Sequence, residues 1–389
     1  MKFKTVNDIC SLVRGSSPRP SGDPRYYGGN IPRLMVTDVT RDGMYVTPQI
    51  AFLTIEGASK SRPMQKGDVV IAVSGDPGEP CILKVDACIH DGFVGLRDLK
   101  TDIVFPPYLY RYFKFNKLNN KSQAVGAIYK NLNTDQIKAL NIPLPPLETQ
   151  KKIAAILDAA DAYRQKTKAL IAKYEELTQS VFLEMFGDPG ENKRMFDSRT
   201  INDVALKVTD GDHATPKRAD KGYKLLSCRN VKQGHIDFTT GVDYVEKDEF
   251  DRMFKRCNPE KGDILISCSG TIGRTTEIKI DEPFVLVRSA ALIKLKRELL
   301  NPTYMEYYLR TSYMQAVMQR KSNSSGQANL FTGSIKALPV LIPEMNLQNQ
   351  FATRVQKIET QKAQAQQSLE KAEELFNSLL QRAFKGELV

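Results

Sequence analysis

Short segments of this chain return about 195 residues later, in the same order, and that repetition limits the fold more than any other feature. Thr5-Val6-Asn7-Asp8-Ile9 returns as Thr200-Ile201-Asn202-Asp203-Val204. Lys66-Gly67-Asp68-Val69-Val70-Ile71 returns as Lys261-Gly262-Asp263-Ile264-Leu265-Ile266. Pro107…Tyr112 matches Pro302…Tyr307, Ile137–Leu140 matches Ile335–Leu338, and Leu147–Gln150 matches Leu347–Gln350. The offset drifts only from 195 to 200, so each copy keeps its length and internal order. A period this long means two whole domains and not a solenoid. Between the matched islands the copies diverge, as expected of one scaffold that carries two different surfaces.

The 389 residues, 41% hydrophobic, are enough for two or three cores. No apolar run approaches 18 residues and no signal-peptide core opens the chain, so a cytoplasmic protein without a membrane span is expected. Six cysteines without a CxxC pair, beside three histidines, give no zinc spacing and fit reduced thiols. The net charge of +11 is unevenly placed. Residues 1–147 carry 19 basic and 13 acidic side chains, and residues 188–345 carry 25 and 21. Residues 148–187 and 346–389 are nearly balanced, at 6 against 6 and 6 against 5. The excess positive charge therefore lies in the divergent units, where a polyanionic backbone would meet it; a basic soluble protein with no such role has the same balance.

Each unit ends in a proline stop, Ile142-Pro143-Leu144-Pro145-Pro146-Leu147 and Leu341-Ile342-Pro343-Glu344-Met345. From Gln150 to Phe186 there is neither Gly nor Pro. Ile153 and Leu157 open an apolar face there, and a heptad seam continues through Ala160, Tyr163, Thr167, Leu170, Tyr174, Leu177 and Val181. The second copy runs Phe351, Val355, Ile358, Lys362, Ala365, Leu369, Ala372, Phe376, Leu379 and Ala383. Alternating steps of three and four predict a coiled coil, with helices about 55 Å long at 1.5 Å per residue. Gly187-Asp188-Pro189-Gly190 predicts a hard stop after the first helix. The fold class expected is α+β: globular units at 1–147 and 188–345, helices at 148–187 and 346–389, and the helices paired antiparallel. Val69–Val73 and Ile264–Cys268 read as buried strands opened by a Lys-Gly-Asp turn. Pro302 reads as opening a helical stretch, and Pro107 a shorter counterpart.

Catalytic patterns fail on inspection. Asp263, Glu277 and Lys279 imitate a metal-dependent nuclease, but Ile82 stands where the first copy would need the glutamate. Asp68 and Asp263 are better read as turn residues. Phe105-Pro106-Pro107-Tyr108 and Asn301-Pro302-Thr303-Tyr304 imitate an amino-methyltransferase motif, yet Phe105 cannot accept a hydrogen bond and Thr303 breaks the second match. No phosphate loop, Gly-x-Ser-x-Gly or Cys-His arrangement is present. No catalytic residue, metal ligand or bound cofactor is therefore expected.

Divergent polar stretches are the candidates for nucleic-acid contact. In the first unit they are Arg14, Ser16, Ser17 and Arg19, then Arg25, Tyr26 and Tyr27, then Lys130 and Asn131. In the second they are His213, Thr215, Lys217 and Arg218, then Arg229 and Asn230, then Asn323, Ser324, Gln327 and Asn329. Arg suits guanine and Asn or Gln suits adenine through bidentate contacts in the major groove. Ser269, Thr271 and Arg274, in the glycine turn after a buried strand, could hold a phosphate. The first copy has Asp76 there, which weakens that argument.

The series Lys261-Gly-Asp-Ile-Leu-Ile-Ser…Ser-Gly-Thr-Ile-Gly273, Pro143-Leu-Pro-Pro-Leu-Glu-x-Gln-x-x-Ile-Ala154, Phe186-Gly-Asp-Pro189 and Ala383-Phe-Lys-Gly-Glu-Leu388 resembles the specificity subunit of type I restriction–modification systems along the full chain. Asp76-Pro77 and Asn346-Leu347 depart from that pattern. The resemblance implies two target recognition domains held apart by an antiparallel helix pair. Each would read one half of an asymmetric, gapped site in double-stranded DNA. The helices would set the gap and dock two methyltransferase subunits, with restriction and translocase subunits joining through these. S-adenosylmethionine, ATP and Mg²⁺ would bind only in the partners. A recognition subunit for another effector, such as a type IIB-like nuclease-methyltransferase, and a coiled-coil protein-binding scaffold remain the alternatives.

Overall fold

A computed structural model describes residues 2–122, 134–322 and 328–388, without the side chains of 118–122. The chain divides into two compact units, Met1–Lys168 with Gln367–Val389, and Ala169–Gln366. Each of the two long helices, Leu147–Phe186 and Met345–Lys385, is thus shared between the units.

The first unit holds a five-stranded sheet in the order Ser11–Arg14, Phe93–Arg97, Val69–Ala72, Pro80–Leu83, Tyr45–Val46. A second sheet runs Ala51–Leu53, Tyr27–Leu34, Ala87–Ile89, Arg62–Met64. The second unit repeats the plan with Ala205–Asp210, Ala290–Leu295, Ile264–Ser267 and Thr275–Glu277, beside a sheet of Arg218–Ala219, Asp243–Val245, Tyr223–Leu226 and Phe284–Leu286. In each unit the second sheet has a parallel pair, Tyr27–Leu34 with Ala87–Ile89 and Tyr223–Leu226 with Phe284–Leu286, and in the first unit Tyr45–Val46 also runs parallel to Pro80–Leu83. Strands Val69–Ala72 and Ile264–Ser267 are buried throughout, as their continuous apolar runs predict.

The Lys-Gly-Asp islands are turns in both copies. Gly67 and Gly262 adopt φ of 92° and 83°, open to glycine at little cost, and their N–H groups donate to Leu83 and Ile278 carbonyls at 2.8 Å. Asp68 and Asp263 accept backbone N–H groups of Gln65 and Glu260 at 2.7 and 2.9 Å, which fixes them as turn residues.

Hydrogen bonding also corrects the alignment of the copies. The Tyr108 and Tyr304 hydroxyls donate to the Pro143 and Leu341 carbonyls, and the Tyr112 and Tyr308 hydroxyls to the Asn141 and Pro339 carbonyls. Tyr112 therefore corresponds to Tyr308 and not Tyr307. Gln150 is matched by Gln348, and not Gln350, because both are fully buried and bond to backbone groups at corresponding positions. Each side-chain oxygen accepts an N–H, from Phe105 or Asn301, and each amide nitrogen donates to two carbonyls, of Ile103 and Pro145 or of Leu299 and Pro343. The helical stretches also differ from expectation. Pro106–Ser122 is one 17-residue helix, whereas Pro302–Arg310 and Ser312–Lys321 are separate helices broken at Thr311, whose hydroxyl caps the second.

Within each unit the long-helix segments run antiparallel. In the first, Arg164 lies over the Phe376 ring at 4.3 Å and Lys168 pairs with Glu373 at 2.9 Å. In the second, Glu175 pairs with Lys362 at 3.0 Å and the Phe182 and Phe351 rings are 5.5 Å apart. Gly187, at φ 75°, ends the first helix by donating to the Leu183 carbonyl.

The second helix buries Phe351, Val355, Ala365, Leu369, Ala372, Phe376 and Ala383, with Ile358 and Leu379 half-buried. The first helix departs from the expected seam. Ile153 and Leu157 are buried, and Tyr174 and Val181 half-buried, but Tyr163, Leu170 and Leu177 are 55%, 44% and 45% exposed. Ala160, Thr167, Tyr174 and Val181 face inward as the seam predicts, but the positions between them are displaced by one, to Arg164, Ile171 and Thr178. Most of the polarity of this inner face is met locally. The Thr167 and Thr178 hydroxyls donate to the carbonyls four residues back, and Arg164 pairs with Asp161 at 2.8 Å and stacks on Phe376, its buried Nε alone lacking a partner.

Candidate nucleic-acid interface

One end of each larger sheet gathers the loops, because strands Ser11–Arg14 and Val69–Ala72 finish where Phe93–Arg97 begins. Gly15 N–H donates to the Phe93 carbonyl at 2.9 Å, Ser16 N–H to Ile89 at 3.1 Å, and Val73 N–H to Gly92 at 2.8 Å. The second unit repeats this frame, with Gly211 donating to Ala290 at 3.1 Å, Asp212 to Leu286 at 2.8 Å and Cys268 to Ser289 at 2.8 Å. Gly15 and Gly211 are required by close approach. A Cβ would sit 1.9 Å from the His90 carbonyl oxygen at the first and 2.2 Å from that of Leu286 at the second. Gly211→Ala is expected to destabilise the second unit by about 2 kcal/mol or more, read as an earlier thermal transition.

On this shared frame the side chains differ. In the first unit, Ser16 donates to the Lys60 carbonyl at 3.1 Å and Tyr27 to the Pro18 carbonyl at 2.8 Å. Ser17 donates to Asp91 at 2.7 Å, which holds that carboxyl below its usual range. Arg25 is an exposed fork aligned by Asp23, with an N···O distance of 2.7 Å. Arg14 and Arg19 are exposed and make no ion pair among the described residues. Tyr26 does not belong to the surface: it is 4% exposed, its hydroxyl accepts from Lys60 at 2.6 Å, and the ammonium lies over its ring.

In the second unit His213 is exposed and hydrogen-bonded to Asp210 at 2.7 Å. Thr215 and Lys217 are exposed. Arg218 and Arg229 share Asp243, at 3.0 and 3.9 Å. Asn230 is a correction, being fully buried with every polar atom used. Its oxygen accepts from the N–H and hydroxyl of Ser227, and its amide donates to the Asp237 and Thr240 carbonyls, so it builds the loop and cannot read a base. Ser269 donates to Cys228 Sγ at 3.6 Å and bridges to Asn329. Thr271 is exposed, and Arg274 is half-buried without an ion pair among the described residues. Lys130, Asn131, Asn323, Ser324 and Gln327 lie outside the described residues.

The type I restriction modification DNA specificity domain model matches residues 1–177 and again residues 218–374. The chain belongs to this family. Its relatives include the EcoKI specificity subunit of Escherichia coli strain K12, 23% identical over 98% of this chain and 88% of that protein. The MjaVIII specificity subunit of Methanocaldococcus jannaschii is 22% identical over 96% of this chain and 90% of its own. Among solved structures, a chain of a type I system described for its complex assembly and conformational transition superposes with a TM-score of 0.64 at 15% identity, covering 100% of this chain and 98% of that one. The specificity subunit from M. genitalium gives 0.56 at 15% identity, covering 98% and 96%. No helix among the described residues is long and apolar enough to cross a membrane.

Several polar side chains at the loop ends of these specificity domains were not singled out by the sequence. Arg33, in strand Tyr27–Leu34, reaches Ser17. Arg252 joins Asp212 and Glu249, and Arg256 joins Asp210 at 3.0 Å. Arg288 is exposed beside them, its N–H held by the Asp212 carbonyl at 3.0 Å. Only the matching glycines, Gly15 and Gly211, offered a sequence signal for where these loops converge.

Proposed function

We propose that this chain is the DNA-recognition subunit of a type I restriction–modification complex, in which each unit reads one half of a bipartite, asymmetric, gapped duplex site. The observation that carries this reading is the pair of identical backbone frames bearing different polar side chains: Ser16, Ser17 and Arg19 in one, Asp212, His213 and Arg288 in the other. Exposed arginines and lysines around them suit phosphate contacts, while the loop tips suit base edges. The relatives' description as specificity subunits of type I restriction enzymes supports the same assignment.

The long helices, in this proposal, set the spacing between half-sites and dock two methyltransferase subunits, through which restriction and translocase subunits join. Exposed apolar side chains on the first helix support docking: Ile156 and Tyr163 in the first unit, and Leu170, Leu177 and Leu183, 44%, 45% and 50% exposed, in the second. Tyr163, Leu170 and Leu177, exposed at heptad steps, suit a partner's helices. Adenine methylation, S-adenosylmethionine, ATP and Mg²⁺ would belong to the partners, and the assembly would act in the cytoplasm. Co-expression with the methyltransferase subunit followed by methylome sequencing tests the proposal. An asymmetric gapped motif methylated on one adenine in each half is expected. Soluble, assembled partners with no new methylated motif would refute it.

A further inference from the structure

We propose that Arg33 and Asp91, bridged by Ser17, read one guanine–cytosine pair in the half-site of the first unit. Strand Tyr27–Leu34 carries Arg33 toward the loop of residues 17–21 and the turn at Asp91. Together they line an open concavity of about 710 Å³. Arg33 donates to Ser17 Oγ at 3.0 Å, and that hydroxyl donates to Asp91 at 2.7 Å. One hydroxyl oxygen therefore sets the guanidinium fork beside the carboxylate.

The fork is held in place before any ligand arrives. It lies 5.5 Å from the Tyr27 ring centroid, and its other terminal nitrogen touches Met35 Sδ at 3.6 Å. It makes no ion pair among the described residues; its Nε is buried without a hydrogen-bond partner, so the second N–H of each terminal nitrogen is what a base would meet. A restrained planar fork loses little freedom on binding and suits bidentate recognition. His90 adds no charge: burial and the neighbouring Arg33 depress its pKa, and its Nδ1 accepts the Gly92 N–H at 2.9 Å.

The carboxylate decides between a phosphate and a base. Phosphate oxygens only accept hydrogen bonds, and Asp91, 58% exposed and held ionised by Ser17, would repel them. A guanine–cytosine pair presents the acceptors O6 and N7 next to the cytosine N4 donor in the major groove. A donor fork beside an acceptor carboxylate is the complement of that pattern. The second unit has His213 and exposed Arg288 at the equivalent places in its frame, so it would read something else. Arg19, exposed at the concavity's edge, is the phosphate contact by contrast.

This inference rests on the proposed function, and one experiment separates the two. The full chain is co-expressed with its methyltransferase partner as wild type, Arg33→Ala, Arg33→Lys and Asp91→Asn. The methylated motif is sequenced, and affinities are measured on duplexes substituted singly along the site. Arg33→Ala and Arg33→Lys are expected to lose the preference for guanine at one position, with cognate affinity down about tenfold to a hundredfold. Asp91→Asn, whose side chain is exposed and whose amide both donates and accepts, is expected to admit a second base pair at that position. A uniform loss across all sequences, with a salt slope shallower by about one, would make Arg33 a phosphate contact and overturn the proposal. So would an unchanged motif in every variant of a specific wild-type complex. A wild-type complex without sequence preference would sink the function itself, and this inference with it.

Discussion

Replacing Gln348 with alanine is expected to destabilise the second unit by about 3–6 kcal/mol. The side chain is fully buried and makes three hydrogen bonds, from Asn301 N–H and to the Leu299 and Pro343 carbonyls, at 2.8, 3.0 and 2.8 Å. Removing it strands all three backbone groups out of water, at about 1–3 kcal/mol each, and leaves a void at the start of the second long helix. Gln150→Ala should act alike in the first unit, where Phe105, Ile103 and Pro145 lose their partner. Denaturant unfolding with separate probes in each unit checks this. Q348A should lower the midpoint of the second unit and Q150A that of the first. A shift below about 1 kcal/mol would mean that water takes over the three bonds.

The second large effect falls on assembly. Leu170→Asp with Leu177→Asp should leave unfolding nearly unchanged, since both side chains are already about half in water. On the proposed docking of a methyltransferase subunit against this stripe, association with that subunit should fall at least a hundredfold, because two apolar anchors covered in the complex become desolvated carboxylates. Analytical ultracentrifugation of the mixed proteins reads association, and denaturant unfolding of the isolated chain reads stability. As a control, Ile171→Asp, on the inner face one residue away, should reverse the pattern and lower stability. Intact binding by the double variant would move the docking surface elsewhere.

The same stripe explains where reading the sequence went astray. Tyr163 and Leu177 are more apolar than Arg164 and Thr178, and Leu170 matches Ile171, so hydrophobicity alone places these three seam positions one residue too early, while Ala160, Thr167, Tyr174 and Val181 are placed correctly. The true inner face survives because each threonine bonds within its own turn and Arg164 spreads over an aromatic ring. The second helix has no comparable rival stripe, and its seam was legible. Turn chemistry was legible too, since Gly67 and Asp68 act locally. The polar surface was legible by type but not by place. Tyr26 and Asn230 have the composition of base readers, yet their bonds close loops from beneath. The Arg33–Ser17–Asp91 bridge joins residues that only the tertiary fold brings together, and no local spacing announces it.

The long-range completion of the first unit bears on how the chain folds. Phe384 packs on Tyr108, Tyr112 and Phe115, and Phe376 and Leu380 lie in the same core. The second unit is one uninterrupted stretch, Ala169–Gln366. The first core is therefore completed by residues that lie beyond the whole of the second unit in the chain, so its last aromatic contacts join segments more than 260 residues apart. Closing so long a loop carries an entropy cost, and until it closes Tyr108, Tyr112 and Phe115 lack the Phe384 ring that covers them.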